Sequence, residues 1–83
     1  MDYKLEKFIS DLQLELCRRY NMLHMIAEKY TAPLTWYIST GRASAQFEKR
    51  LLASRKYMIA RKLYQNYGTY EKPLDEIKKY LGF

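Results

Sequence analysis

The chain has 83 residues, 48% apolar and 29% charged, which is typical of one small folded domain over residues 1–83 and argues against a disordered segment. Its single cysteine, Cys17, excludes an internal disulfide bond, and its longest uncharged run, Tyr30–Gly41, falls short of the roughly 20 apolar residues of a membrane span. The formal net charge of +6 favours a partner of negative charge.

The first predicted element is a long amphipathic helix over about residues 3–30, because apolar residues recur there three or four positions apart. The apolar stripe consists of Leu5, Ile9, Leu12, Leu16, Tyr20, Leu23, Ala27 and Tyr30. We expect it to face the core of the domain. Since the stripe extends over about four heptads, it can also pair with a second copy, and the sequence therefore predicts a possible homodimer.

A short helix over about residues 32–39 is predicted next. Thr31 can cap a helix, Pro33 is tolerated in a first turn, and Gly41 can end the element. The alternative is an extended segment, because residues 35–40 are rich in β-branched and aromatic side chains. A lone strand would have no partner within the chain, so the helix is the favoured interpretation.

The second long helix is predicted over about residues 44–67, with Ser44 as its N-cap and Gly68 as its stop. Two apolar stripes about 120° apart indicate two packing neighbours. They are Phe47, Leu51 and Met58, and then Leu52, Ile59 and Leu63. A short C-terminal helix over about residues 73–81 follows a turn. The predicted fold is all-α: a small bundle of two long and two short helices.

The excess positive charge lies in one segment. Residues 42–66 hold seven cations and one anion, whereas residues 1–41 and 67–83 are each neutral. On the predicted helix, the arc outside the two apolar stripes carries cations and tyrosines together. The candidate binding residues on this arc are Lys49, Arg50, Lys56, Tyr57, Arg61 and Tyr64.

This composition predicts a small basic protein that binds nucleic acid, mainly through phosphates, with the Arg42–Lys62 helix. Lysine and arginine neutralise phosphates, and tyrosine rings can stack on bases. The alternative is a protein–protein interaction module or inhibitor, such as a small accessory or phage-type protein. It would dock its basic, Tyr-rich face on an acidic protein surface or on a nucleic-acid-binding surface of a larger complex. We expect a cytoplasmic location and no membrane span.

The sequence does not predict an enzyme. Its one histidine, His24, and its one cysteine, Cys17, are seven residues apart in the first predicted helix. That spacing is about 10.5 Å along a helix axis, which is too long for an activated nucleophile pair. No His or Cys joins the carboxylates of Asp11 and Glu15 to complete a metal site, and the glycines do not form a phosphate-binding loop. We expect no catalytic residue, no metal and no cofactor.

Two fragments resemble a helix-turn-helix. In the segment LHMIAEKYTAPLTWYIS, Ile26 and Ala27 would lie in the first helix, Tyr30 near the turn, and Tyr37 and Ile38 where a second helix docks. The tail PLDEIKKYLGF resembles the opening half of the same motif, and its Leu-Gly-Phe ending resembles the second such unit of AraC-type regulators. Because the sequence ends before a second helix of that unit, we do not expect the tail to read a DNA groove. We assign no family on these fragments.

Overall fold

A computed structural model of the chain describes residues 2–69 and 71–83. Every regular element in these ranges is a helix, which confirms the predicted all-α bundle. The helices are α1 (Tyr3–Tyr20), α2 (His24–Ser39), α3 (Ala45–Ala53), α4 (Lys56–Gln65) and α5 (Lys72–Tyr80). α1 packs mainly against α2 and α4, and α5 closes the bundle against α4 and α2.

The core is built around the apolar face of α1. Leu12 and Leu16 are fully buried there, and each buried leucine contributes roughly 1.5–3 kcal/mol relative to an exposed one. The other helices supply the remaining fully buried apolar side chains, which are Ala27, Leu34, Phe47, Leu51, Ile59, Ala60, Leu63 and Ile77. The part of the predicted stripe from Leu5 to Leu16 is buried by its own chain, so a dimer would have to use a different surface, whereas Leu23, which was expected to face the core, is 72% exposed. The homodimer stays a prediction.

The first long helix ends earlier than predicted. α1 ends at Tyr20, residues 21–23 are not helical, and α2 begins at His24. Asn21 has left-handed backbone angles (φ 52°, ψ 43°), which asparagine tolerates better than most residues. Leu23 is extended (φ −67°, ψ 147°). The apolar spacing continues across this break, so the hydrophobic pattern alone does not reveal it.

The predicted short helix over residues 32–39 is confirmed as helical, but it is the second half of α2 and not a separate element. Pro33 therefore lies inside a helix, although it cannot donate to the carbonyl one turn before it. Thr31 is fully buried in the preceding turn, where its hydroxyl donates to the carbonyls of Ala27 and Glu28 at 3.1 and 3.0 Å. The hydroxyl also accepts from Nε2 of Gln13 at 3.1 Å, which ties α2 to α1.

The helix-turn-helix resemblance of residues 23–39 is therefore not supported. α2 runs without interruption through Thr31, where the motif requires its turn. The hydrogen bonds of the Thr31 side chain lie within the helix and do not redirect it. This part of the chain acts as one packed helix of the core.

The second long helix is also divided. α3 ends at Ala53 and α4 begins at Lys56, with Ser54 and Arg55 extended between them (ψ 163° and 119°). The Ser54 hydroxyl donates to the Leu51 carbonyl at 2.6 Å, a local bond that competes with helix continuation. Each helix consequently buries its own face. Ala60 lies outside both predicted apolar stripes, yet it is fully buried on α4.

α5 starts and ends within one residue of the predicted bounds, and it finishes in a well-formed cap. Gly82 has a positive φ of 88°, a conformation that suits glycine. The backbone N–H of Phe83 donates to the Lys78 carbonyl at 2.9 Å, and that of Gly82 donates to the Lys79 carbonyl at 3.1 Å. This pair of bonds is the Schellman motif. Across the described residues, none of the helices is both long and apolar enough to cross a membrane.

Candidate nucleic-acid interface

The outer face of α4 brings three of the six predicted binding residues together. Tyr57, Arg61 and Tyr64 are four and three residues apart, so they lie on one side of the helix. Tyr57 is 36% exposed, Tyr64 is 45% exposed, and Arg61 is also exposed. The opposite side of α4 carries the buried core residues. The helix itself contains no acidic residue, and it therefore presents a cation between two tyrosines.

The end of α1 adds two residues to this surface that the sequence did not identify. The Arg19 guanidinium lies over the Tyr57 ring, 4.9 Å from its centroid. The Tyr20 ring stacks on Tyr64 with centroids 4.1 Å apart and planes 9° from parallel. We call the five residues Arg19, Tyr20, Tyr57, Arg61 and Tyr64 the Arg–Tyr face. No sequence pattern links residues 19 and 20 to residue 57, because only the packing of α1 on α4 brings them together.

Arg19 is held in position by its own helix. Its guanidinium forms an ion pair with the Glu15 carboxylate one turn earlier. This hydrogen bond raises the pKa of Arg19 above its ordinary value, so the side chain stays charged. The carboxylate also offsets part of the positive charge at this edge of the Arg–Tyr face, which leaves Arg61 as the stronger attraction for an anion.

Arg50, another predicted binding residue, makes hydrogen bonds within the protein that stabilise the fold. Its Nη1 donates to the carbonyls of Leu81 and Gly82 at 3.0 and 3.2 Å, and its guanidinium lies 4.5 Å from the Phe83 ring centroid. The side chain therefore joins α3 to the end of α5 and satisfies carbonyls that the helix leaves without partners. The charge of Arg50 remains, but its Nη1 is already bonded within the protein.

Lys56 also has a partner within the protein, the carboxylate of Asp11. Its Nζ donates to the Asp11 carboxylate at 2.9 Å and lies 5.7 Å from the Phe8 ring centroid. The hydrogen bond with Lys56 lowers the pKa of Asp11 below its ordinary value. Asp11 is thus ionised at neutral pH and offsets the charge of the lysine. A phosphate at Lys56 would have to compete with this carboxylate.

Lys49 stays exposed, but it lies on α3 and is separate from the Arg–Tyr face. It borders an open groove of about 630 Å³ between α1 and α3. Both cations and anions line this groove, including Lys4, Lys7, Asp11 and Glu48. The six predicted residues therefore do not form one surface. Three lie together on the outer side of α4, whereas Lys49 and Lys56 border the groove beside α1, and Arg50 is bonded to the end of α5.

Four tyrosines, from α1, α2, α4 and the turn after α4, also contact one another. The Tyr30 ring of α2 and the Tyr64 ring form an edge-to-face pair, with centroids 6.1 Å apart and planes 75° from parallel, and Tyr30 also contacts the Tyr67 ring. Tyr20 covers one side of Tyr64. We call Tyr20, Tyr30, Tyr64 and Tyr67 the tyrosine cluster. Burial, followed by the neighbouring phenols of Tyr67 and Tyr64, raises the pKa of Tyr30, so this ring stays neutral at physiological pH.

A different kind of surface lies between α2 and α5. An open groove of about 510 Å³ there is lined mainly by apolar side chains, among them Pro33, Trp36 and Leu74. Trp36 is 52% exposed, and the Arg42 guanidinium lies 4.7 Å from its ring centroid. The acidic residues Glu71 and Asp75 also line this groove. This groove is less basic than the Arg–Tyr face and has a character suited to side chains of another protein.

The chain defines a small all-α bundle with a basic aromatic face. Comparison with known proteins finds no matching family model, no matching curated protein and no matching solved structure. Within residues 2–69 and 71–83, no three His, Cys, Asp or Glu side chains come together as a group that could hold a metal ion.

Proposed function

We propose that this protein binds nucleic acid through the Arg–Tyr face, with its cations on phosphates. The observation that carries the proposal is the exposed stripe of Tyr57, Arg61 and Tyr64 on a helix without acidic residues. Arginine is a strong phosphate ligand because its planar group donates several hydrogen bonds at once. Tyrosines on either side can contact sugars and bases.

The salt dependence of such binding follows from which cations are available. The Arg–Tyr face holds two cations: Arg61, which has no carboxylate within 4.0 Å in the described part of the chain, and Arg19, which is paired with Glu15. Phosphate contacts by both predict a slope of log affinity against log salt of about −1.8 on duplex and about −1.4 on single strands, and a contact by Arg61 alone predicts half of each. Four phosphate contacts, one for each cation of the site predicted from sequence (Lys49, Arg50, Lys56 and Arg61), would instead give about −3.6 and −2.8.

The experiment is an anisotropy titration of a labelled 12-nucleotide oligomer, as single strand and as duplex, between about 50 and 200 mM salt. We expect Arg61→Gln to flatten the slope by nearly one unit on duplex and by about 0.7 on single strands. The matched control is Lys72→Gln, which removes the same charge from an exposed position on α5. It should leave the slope nearly unchanged.

Equal effects of the two substitutions on the salt slope would mean that the net positive charge of the protein, and not the Arg–Tyr face, attracts the oligomer. No binding of the wild-type protein to either oligomer at about 50 mM salt would reject the proposal.

The groove beside Trp36 favours a second candidate function, which is protein binding. Its apolar lining and half-exposed tryptophan have the composition of interface cores. In that case truncation of Trp36 to alanine would cost on the order of 2 kcal/mol of binding to the partner, and Arg61→Gln would mainly slow association.

A further inference from the structure

The tyrosine cluster offers aromatic rings that are already fixed in place. Tyr64 is stacked on Tyr20, and Tyr30 supports both Tyr64 and Tyr67. Tyr64 remains 45% exposed and Tyr67 51% exposed. A ring that is held before binding loses little conformational freedom when a ligand stacks on it, which favours affinity. The cluster adjoins Arg61 on the same helix, so a stacked group would lie beside a phosphate-binding cation.

We infer that the nucleic acid bound here is single-stranded, and that unpaired bases stack on Tyr64 and Tyr67. This inference rests on the proposed function and narrows it to one class of ligand. Stacking requires a free face on the base, and bases in a duplex already stack on their neighbours. Exposing them would cost a few kcal/mol per step, which single strands avoid.

The distance between the tyrosines of the Arg–Tyr face matches the length of a few nucleotides of single-stranded nucleic acid. Tyr57 and Tyr64 are seven residues apart, which is about 10.5 Å along a helix axis. At about 3.4 Å per nucleotide in a stacked strand, this length corresponds to roughly three nucleotides. Arg61 lies between the two tyrosines in sequence and on the same side of α4. It is placed to contact a phosphate of the strand whose bases meet the tyrosines.

Stacking also predicts weak sequence preference. Every base has a π-face, so an aromatic platform accepts all four. Within α4, the outer face offers Tyr57, Arg61, Tyr64 and the C-terminal Gln65. Arginine and glutamine can both read base edges, but Arg61 is assigned to a phosphate here, which leaves Gln65 alone for base readout. We therefore expect homopolymeric thymidine and mixed sequences to bind with affinities within a few-fold of each other.

The test compares Tyr64→Leu with Tyr64→Phe, because leucine removes the ring and phenylalanine keeps it. Tyr64→Leu should weaken binding to a 12-nucleotide single strand about tenfold, equivalent to about 1.4 kcal/mol, and should change duplex affinity less than twofold. Tyr64→Phe should stay within about twofold of wild type on both. Neither variant should change the salt slope, since no phosphate contact is lost.

A second readout reports stacking directly. A single strand that carries one 2-aminopurine should lose emission when wild-type protein binds, because stacking on an aromatic ring quenches that base. The quenching should be reduced in Tyr64→Leu and also in Tyr67→Leu. Tyr67 follows the end of α4, so its substitution leaves the Tyr20–Tyr64 stack in place and keeps the test informative if Tyr64→Leu unfolds.

The outcomes separate the two proposals. If wild-type protein binds neither oligomer, the proposed function and this inference both fail. If it binds duplex as tightly as single strands, without aminopurine quenching and without an effect of the tyrosine substitutions, the proposed function stands and this inference is overturned. A preference for single strands that Tyr64→Leu or Tyr67→Leu removes and Tyr64→Phe keeps would support it.

Discussion

Arg50 illustrates how a single residue can belong to the fold when its sequence context suggests a binding surface. The sequence places it among other cations and tyrosines on α3 and α4. Its partners, the carbonyls of Leu81 and Gly82, are 31 and 32 residues further along the chain. No local pattern can reveal such a contact, because it exists only once α5 has packed against the bundle.

The role of Arg50 makes a prediction about stability. Arg50→Met should lower the free energy of unfolding by about 1–2 kcal/mol, because two charge-assisted hydrogen bonds and the contact with Phe83 are lost. Lys49→Met is the matched control: the neighbouring residue is exposed, and its replacement should change stability by less than about 0.5 kcal/mol. Urea denaturation measures both. Equal losses in the two variants would contradict the assigned role of Arg50.

The Tyr57, Arg61 and Tyr64 stripe could be predicted from sequence because it depends only on helical periodicity within one element. Its neighbours Arg19 and Tyr20 could not, since they come from a different helix. Lys56 could be predicted in part. Its exposure follows from the helical pattern, but its ion pair with Asp11 depends on the packing of α1 on α4.

At the level of elements, the sequence predicts helices well and their ends less well. Apolar spacing continues through Asn21 and through Ser54, so both long segments look uninterrupted. The breaks are set by backbone conformations: a left-handed residue at position 21 and two extended residues at positions 54 and 55. α5 has a proline near its start and a glycine after its end, and its bounds were predicted to within one residue.

Asn21 provides a test of the first break. Asn21→Val should lower the free energy of unfolding by about 1–2 kcal/mol, because a β-branched residue strongly disfavours the left-handed region. Asn21→Gly should be close to wild type, since glycine adopts a positive φ without a steric penalty. Thermal or urea unfolding of the two variants gives the comparison. If the valine and glycine variants were equally stable, α1 and α2 would not require this conformation.

At the level of the whole molecule, packing places acidic residues of α1 beside a segment that is continuously basic in sequence. The segment from Lys49 to Thr69 contains no acidic residue, yet α1 brings Asp11 to Lys56 and Glu15 to Arg19 beside α4. The result is a smaller and more aromatic basic surface than the sequence indicates. This is why the expected salt dependence falls from four phosphate contacts to about two.

The most direct test of the central claim is to map the binding surface by backbone amide chemical shifts. The wild-type protein would be titrated with a 12-nucleotide single strand at low salt. We predict that the largest shifts occur at Tyr57, Arg61 and Tyr64 and extend to Arg19 and Tyr20, while amides around the groove between α2 and α5 stay unchanged. An absence of shifts, or shifts confined to that groove, would contradict the assignment of the Arg–Tyr face as the nucleic-acid-binding surface.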